Sequence, residues 1–116
     1  ILVFDGGGRL LVHQRTATKD VYPAYWDVAF GGVVDVGEDY GVAARRELLE
    51  EAGLDEPLEA LFDTRFEDDS TRVFGKVYRC VTDAAPRFQP EEVAMAEWRS
   101  IDDLRGEVTT VKYCPD

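Results

Sequence analysis

The feature that most constrains the fold is a helical pattern with glycines at both ends, within Gly32–Leu54. The pattern predicts a helix that begins at Glu38 or Asp39 and ends at about Ala52. Gly53 is well placed as the C-terminal cap, since helices commonly end at a glycine in the left-handed conformation. The helix would pack through an apolar side on a sheet.

Three glutamates mark one side of this predicted helix. Glu50 lies three residues after Glu47, and Glu51 lies four after it, so a helix places the three carboxylates on one face. Like charges at this spacing repel one another, each pair costing roughly 0.2–0.5 kcal/mol on an exposed helix. A hard divalent cation, Mg²⁺ or Mn²⁺, would remove that penalty. A solvated acidic face explains the three residues alone equally well.

The opposite side of the predicted helix is apolar. The residues expected to pack on the sheet are Val42, Leu48, Leu49 and Ala52. Arg45 falls on that side too, so it must reach outward or lie near its edge. The helix is therefore amphipathic, but imperfectly so.

Most of the remaining chain has the pattern of strands. Apolar or alternating runs predict them at Ile1–Phe4, Arg9–Arg15, Tyr25–Phe30, Leu58–Glu67, Val73–Thr82 and Val93–Arg99. Turns or loops are expected at Asp5–Gly8, Thr16–Ala24, Gly31–Gly37, Asp68–Thr71 and Asp83–Pro90. Ser100 is the predicted N-cap of a short helix that includes Leu104. One long helix among strands indicates a mixed sheet with helices packed on it, in the α/β or α+β class.

The length and the composition limit what the chain can be. Its 116 residues suffice for one domain, 1–116, and because it opens without Met inside an apolar run we expect further residues at both ends. Acidic residues number 24 against 13 basic ones, a formal net charge of −11 that disfavours a nucleic-acid polymer as partner. A cation can still bridge carboxylates to a small phosphorylated substrate.

Two further observations concern location. No apolar run approaches the roughly 18 residues of a membrane span, so no membrane contact is expected. Cys80 and Cys114 have neither close nor metal-ligand spacing, which indicates unpaired thiols in a reducing compartment. We therefore expect a cytoplasmic protein.

The helical segment as a whole resembles the Nudix box at every position that this signature specifies. The matching residues are Gly32, Glu38, Arg46, Glu47, Leu48, Glu50, Glu51, Gly53 and Leu54. Chance would produce such a match on the order of once per 10⁹ starting points. The resemblance implies a Nudix-type mixed sheet sandwiched between helices. It also implies Mg²⁺- or Mn²⁺-dependent hydrolysis of a phosphoanhydride bond in a nucleoside diphosphate linked to another moiety.

The resemblance also implies roles for the box residues. The cation would be held by Glu47, Glu50 and Glu51 with the backbone carbonyl of Gly32. Arg46 would pair with the glutamates and orient them, and Glu38 would brace the loop or join an outer shell. One of the glutamates would accept a proton from the attacking water.

Family members often recruit that base, or a further metal ligand, from a later loop. The matching place here is Pro90–Val93, which contains Glu91 and Glu92. We favour Glu92 as the catalytic residue and keep Glu91 as a supporting candidate. Two solvated loop acids are the alternative.

The segment before the box is similar to isopentenyl-diphosphate isomerase, a Nudix-fold relative that grips a diphosphate with an Arg and a Lys. Arg15 and Lys19 match that pair and become candidates for binding diphosphate, one as a fork and one as a point charge. Isomerase activity itself is not expected, because Gly31 and Val33 stand where that enzyme needs a cysteine and a metal-binding histidine.

Other questions stay open at the level of sequence. A ligand-sensing Nudix module without turnover is a further alternative, against which the complete set of glutamates argues. Homodimers are common in the family, so a second copy of the chain is a candidate partner. His13 is expected to be a surface or packing residue. Phe66, Phe74 and Tyr78 fit a base-binding pocket or an ordinary strand core.

Overall fold

Six strands form one mixed sheet in the computed structural model, which describes residues 1–70, 72–107 and 109–114. The strands are β1 (Leu2–Phe4), β2 (Leu10–Arg15), β3 (Trp26–Asp27), β4 (Glu59–Glu67), β5 (Arg72–Val81) and β6 (Val93–Arg99). Five of them follow the order β3-β2-β1-β5-β4, and β6 pairs with β2. β1 and β5 are parallel, and the other pairs are antiparallel. The predicted class, a mixed sheet with helices, is confirmed.

The described residues also form two helices, α1 (Tyr40–Ala52) between β3 and β4 and α2 (Ile101–Glu107) after β6. Asp39 caps α1, its carboxylate accepting from the backbone N–H of Val42 at 3.2 Å. Gly53 ends α1 in the left-handed conformation, at φ 66°, and donates to the carbonyl of Leu49. These caps satisfy backbone groups that the helix ends would otherwise leave unpaired. Both predicted ends of α1 are therefore confirmed to within one residue.

The predicted strand Tyr25–Phe30 is wrong in length, since only Trp26 and Asp27 are in the sheet. The backbone N–H of Ala29 donates to the Asp27 carboxylate instead of to a neighbouring strand. The segment then leaves the sheet and leads toward α1. The predicted turn at Asp68–Thr71 is described as far as Ser70, and Thr71 lies outside the described residues.

The orientation of α1 differs from the expectation. Leu48 and Ala52 are buried as predicted, but Val42 and Leu49 are 60% and 54% exposed, and Ala43 is buried instead. At 100° per residue, this buried side also includes the positions of Glu47 and Glu51. Alanines occupy two of the buried positions on that side, Ala43 and Ala52. The glutamates are thus not opposite the packed face but partly turned toward it.

Arg45, which the pattern placed on the apolar side, reaches outward. Its guanidinium pairs with the Asp55 carboxylate at 2.9 Å, and both side chains are exposed. This agrees with the expected outward path. The Arg45 guanidinium therefore does not lie on the sheet-facing side of α1.

Two hydrophobic clusters lie on opposite faces of the sheet, because successive residues of β1 and β2 point to opposite sides. One cluster packs against α1 and contains Val3, Leu11, Phe30, Leu48, Ala52, Leu54 and Cys80. The other contains Leu10, Val12 and Leu104 of α2. Burying a leucine such as Leu48 stabilises the fold by roughly 1.5–3 kcal/mol. The first cluster supports the floor beneath the glutamates.

The short helix follows its predicted N-cap. The backbone N–H of Asp103 donates to the Ser100 hydroxyl at 3.1 Å, and Leu104 is buried. Within the described residues, no helix has the length and apolar character needed to cross a membrane.

Candidate functional site

A cavity of about 310 Å³ separates α1 from β2 and the loops around it. We call it the carboxylate cleft. The side chains that line it include the following residues from four separate parts of the chain: His13, Arg15, Lys19, Asp27, Phe30, Glu47, Glu50, Glu51, Gln89 and Glu92. The three box glutamates therefore face the two predicted diphosphate-binding cations and one of the two loop glutamates across a single space.

Four other predicted site residues do not line this cleft. Arg46 and Glu38 lie behind the glutamates, and Gly32 lies beside Glu47. Glu91 is exposed and does not line the cleft. The structure therefore separates the two loop acids, with Glu92 inside the cleft.

Arg46 links the acids of the box. Its guanidinium contacts Glu38 Oε1 at 3.0 Å, Glu47 Oε1 at 3.0 Å and Glu50 Oε2 at 3.6 Å. Its hydrogen bond is the main reason why the pKa of Glu38 lies below its usual value. Charge-assisted bonds from a planar fork fix the direction of a carboxylate. Arg46 thus orients these acids and offsets their mutual repulsion.

The Glu51 carboxylate is desolvated by burial. It accepts a hydrogen bond from the backbone N–H of Gly31 at 3.2 Å. Burial is the largest cause that raises the pKa of its carboxyl to about 7, and the negative charges of Glu47 and Asp27 raise it further. An isolated carboxylate is costly in such a place unless a positive charge is supplied.

Gly32 is close to one of these acids. A Cβ at this position would lie within 2.8 Å of Glu47 Oε2. Any side chain here would displace the Glu47 carboxylate or the loop. The obstacle to a side chain here is the Glu47 carboxylate itself.

The donor set fits a hard divalent cation. The carboxylates of Glu47, Glu50 and Glu51, which lie within about one turn of α1, line one cleft, and the Gly32 backbone lies beside them. Among the described residues, no three acidic, cysteine or histidine side chains converge closely enough to form a ready cage. Glu47 and Glu50 instead both contact Arg46. Glu50, with 56% of its side chain exposed, has room to turn.

The opposite wall of the cleft is formed by two loops that are tied together. Lys19 forms an ion pair with Glu92 inside the cleft. Thr16 donates from its backbone N–H to the Glu92 carbonyl at 3.4 Å and from its hydroxyl to the Glu91 carbonyl at 3.1 Å. Arg15 donates from Nε to the Val21 carbonyl at 3.0 Å. The side chains of Arg15 and Lys19 are therefore held at the edge of the cleft by contacts with neighbouring loops.

His13 closes the floor of the cleft. It is buried and stacks on Phe30, with ring centroids 4.2 Å apart. Burial, with a smaller effect from Arg15, lowers its pKa from 6.5 to about 4. The expectation of a packing residue is confirmed, but this residue also belongs to the cleft wall.

Asp27 and Gln89 also line the cleft, and sequence reasoning did not select them. The amide of Gln89 is 3.5 Å from the Glu50 carbonyl, and the Asp27 carboxylate lies close enough to Glu51 to raise its pKa. Gln89 immediately precedes Pro90–Val93, the loop predicted to supply a base or a metal ligand, and this position is only a weak sequence signal of a role in the site. Asp27 had no signal beyond its place in a short strand.

We expect Glu51→Gln to stabilise the metal-free protein at pH 8. Because the pKa of Glu51 is raised from 4.5 to about 7, its carboxylate lowers the free energy of unfolding increasingly as the pH rises between these values, and the full effect is reached above pH 7. Allowing for partial solvent contact, the gain is about 1–2 kcal/mol in the free energy of unfolding. Urea unfolding in EDTA at pH 8 measures it. Exposed Glu50→Gln is the matched control and should change this free energy little, so equal effects of the two substitutions would contradict the burial argument.

Comparison with known proteins places this geometry in a family. The family model described as the NUDIX domain matches residues 1–114. The uncharacterized Nudix hydrolase PA4841 of Pseudomonas aeruginosa is 40% identical over 117 residues, covering 100% of this chain and 69% of that protein. The similar YfcD of Escherichia coli is 37% identical, with 64% of its length covered. The chain thus spans about two thirds of the length of such relatives.

Solved structures show the same fold. The crystal structure of DR0079 from Deinococcus radiodurans has a TM-score of 0.84 at 27% identity, covering 99% of this chain and 74% of that one. The NUDIX domain of Shewanella oneidensis NrtR, solved with ADP ribose, has a TM-score of 0.70 at 19% identity, covering 90% and 72%. From the family model, the relatives and the fold together, the chain belongs to the Nudix family.

Proposed function

We propose that the protein hydrolyses a phosphoanhydride bond in a nucleoside diphosphate linked to another moiety, with Mg²⁺ or Mn²⁺. One observation carries this proposal. The glutamates of α1 face Arg15 and Lys19 across the carboxylate cleft, so a diphosphate between the two walls would meet cations on one side and metal-ligating carboxylates on the other. The NrtR domain, which binds ADP ribose, supports a nucleotide-like ligand for the fold.

Each wall has a separate task in this proposal. Glu47, Glu50 and Glu51, with the Gly32 carbonyl, would hold the cation, and Arg46 and Glu38 would keep their carboxylates aligned. When bound, the cation would neutralise phosphate oxygens and lower the pKa of a water. Arg15 and Lys19 would hold the diphosphate against the cleft.

The bond is broken by water. A water oxygen attacks one phosphorus, the bond from that phosphorus to the bridging oxygen breaks, and two phosphate products leave. Glu92 is our candidate for accepting the proton, because it lines the cleft opposite the glutamates of α1. Glu47 and Glu50 are the alternative acceptors, and Glu91, outside the cleft, is less favoured.

Lys19 has two possible partners in this scheme. Without substrate it is paired with Glu92. A diphosphate would compete for the same ammonium group. Glu92 would then be left without its cation at the moment when a base is needed.

The test is a phosphate-release screen over nucleoside and isoprenoid diphosphate compounds, with pyrophosphatase or phosphatase added. Each compound is assayed with Mg²⁺, with Mn²⁺ and with EDTA. Activity that EDTA abolishes supports the proposal and identifies the substrate group. Silence over the panel from a folded, metal-binding protein would favour a sensing module or an isomerase instead.

Arg15→Ala is expected to raise KM for the active diphosphate about tenfold or more, since a charge-assisted contact to phosphate is lost. The value of kcat should change less, because the substitution leaves the carboxylate wall untouched. Steady-state kinetics measure both constants. Arg9→Ala is a matched control, since Arg9 is an exposed arginine that pairs with Asp5 away from the cleft. An unchanged KM in Arg15→Ala would mean that Arg15 is a surface charge and does not bind the diphosphate.

A further inference from the structure

The strand β4 forms an open edge of the sheet. Among the described residues, β4 pairs with β5 alone, so the backbone N–H and carbonyl groups on its far side have no strand partner there. Every residue of β4 except Phe66 is exposed. From Phe62 to Glu67 the pairing with β5 is regular, and this stretch contains no proline and no lysine. Bulges, prolines and lysines commonly protect such edges, so this part of β4 is open to another strand.

We propose that β4 pairs with β4 of a second copy of this chain, antiparallel and centred on Thr64. In this register a two-fold axis passes between Thr64 and Thr64 of the second copy, which lie opposite each other. Residues equally far from Thr64 on either side then also lie opposite each other. Directly opposite residues point to the same side of the sheet, so each side of β4 must match itself.

The charged side of β4 is complementary to itself in this register. Asp63 and Arg65 flank Thr64, so each Asp63 lies opposite Arg65 of the second copy. Their side chains are 79% and 56% exposed. Within the chain, Asp63 lies 3.9 Å from Lys76, and Arg65 pairs with Glu67 at the surface, so both charges remain accessible. Opposite charges across a strand pair are favourable, and the two-fold axis supplies two such pairs.

The apolar side of β4 matches itself as well. Phe62 and Phe66 lie two residues from Thr64 on either side, so each Phe62 lies opposite Phe66 of the second copy. Phe62 is 56% exposed and Phe66 is partly exposed, so pairing would remove ring surface from water. Aromatic pairs and a central pair of threonines are both favourable between antiparallel strands.

The neighbouring registers are disfavoured by the same side chains. A shift of one residue would place the charged side of one β4 beside the apolar side of the other, with Phe62 opposite Arg65 or Phe66 opposite Asp63. A shift of two residues would place Asp63 opposite Asp63, or Arg65 opposite Arg65. Like charges directly opposite each other are destabilising. Centring on Thr64 therefore matches both sides of the strand where these shifts do not.

The proposed interface is separate from the carboxylate cleft. None of the residues of β4, all of which the structure describes, lines that cavity. Both cavities of a dimer would therefore stay open. Phosphate release should be the same in the monomer and in the dimer, whatever the substrate proves to be.

Sedimentation velocity tests the pairing with two charge variants. Asp63→Lys leaves cations on both sides of Thr64, and Arg65→Glu leaves acids on both sides. The wild type should be a dimer at about 100 µM chain in ~0.15 M salt, which screens the net charge of −11 on each copy. Each variant alone should dimerise at least tenfold more weakly. An equimolar mixture should regain the wild-type affinity to within about threefold, because each variant then meets the charge that its own copy lacks.

Asp55→Lys is the matched control for these variants. It makes the same change of charge at an exposed acid outside β4, where Asp55 pairs with Arg45. It should leave the dimer unchanged. The melting temperature checks that each variant is folded, and misfolded variants would not recover their association on mixing.

Disulfide formation tests the register independently, in a Cys114→Ser background that leaves the buried Cys80. Opposite residues of an antiparallel pair have Cα atoms about 4.5–5.5 Å apart, within reach of a disulfide. Thr64→Cys should therefore cross-link to its own copy in oxidised glutathione. Phe66→Cys is the matched control and should not cross-link, because the two copies of Phe66 are separated by about 13 Å along the edge.

Several results would overturn the inference. A wild type that stays monomeric would refute the pairing and leave the edge of β4 to a strand of another protein. Charge variants that dimerise as the wild type does, or a mixture that stays monomeric, would refute it too. If Phe66→Cys cross-links as readily as Thr64→Cys, the register is wrong and the two chains meet in another way.

Discussion

Glu50→Gln is expected to lower kcat for phosphate release by about 10²- to 10⁴-fold and to leave the fold intact. The side chain is more than half exposed, and its one close charged contact among the described residues is Arg46 at 3.6 Å, so the fold depends little on it. An amide keeps the size of the side chain but removes the charge that a divalent cation needs. Initial rates with the active substrate, together with the melting temperature, test this directly.

Asp55→Asn provides the control for that experiment. Asp55 is an exposed acid just beyond the end of α1, paired with Arg45 and outside the carboxylate cleft. It should keep the wild-type rate. A wild-type rate in Glu50→Gln would refute the assignment of this residue to a metal site. A loss accompanied by a lower melting temperature would instead mean that its contact with Arg46 is structural.

Comparing Glu50→Gln with Glu51→Gln separates the contribution of these carboxylates to turnover from their effect on stability. Glu51→Gln should reduce turnover to a similar extent, because both residues belong to the same proposed ligand set. Of the two substitutions, only Glu51→Gln should also stabilise the metal-free fold, since burial desolvates the Glu51 carboxylate while the Glu50 side chain is 56% exposed. Lost activity with gained stability is typical of a buried charge that is retained for function.

The sequence predicted the box well because the necessary information is local. Helix periodicity, an N-cap at Asp39 and a left-handed Gly53 are each determined within a few residues. The rotation of α1 could not be predicted in the same way. It depends on whether Ala43 or Leu49 packs better against strands that are remote in sequence, and the small residue was buried while the large one stayed exposed.

The opposite wall of the carboxylate cleft could also be predicted only in part from the sequence. The resemblance to the isomerase segment predicts Arg15 and Lys19 as a diphosphate-binding pair, and both residues line the cleft. The partnership of Lys19 with Glu92 joins residues 73 positions apart and has no local signal. Such a pairing depends on how the loops after β2 and before β6 meet, which is a property of the assembled sheet.

The three aromatic residues Phe66, Phe74 and Tyr78 do not all lie on one face of the sheet. Their sequence pattern fits either a pocket or a strand core, but only Phe74 and Tyr78 line the cavity between α1 and β5. Phe66 pairs with Val73, and Phe74 pairs with Arg65, so strand alternation sends the two phenylalanines to opposite faces. The register of β4 against β5 determines this, and a bulge between Ala60 and Phe62 shifts that register in a way that no alternating pattern reveals.

His13→Phe should make the protein much less sensitive to acid, because the buried imidazole resists protonation. The pKa of His13 is lowered from 6.5 to about 4, chiefly by burial. Between these values the unfolded chain binds a proton that the folded chain rejects, so folding stability falls as the pH falls from 6.5 toward 4. The full shift corresponds to roughly 3 kcal/mol. Phenylalanine keeps a ring against Phe30 and cannot titrate.

The measurement is urea unfolding of both proteins at pH 7.5 and pH 4.5. The wild type should lose about 2–3 kcal/mol more than His13→Phe between these conditions. Glu51 and the other acids titrate in both proteins, so their contributions cancel in the difference. Equal losses would mean that the folded protein protonates His13 at its ordinary pKa. Since Nδ1 of this residue is buried without a hydrogen-bond partner among the described residues, that outcome would require the cleft floor to open on protonation.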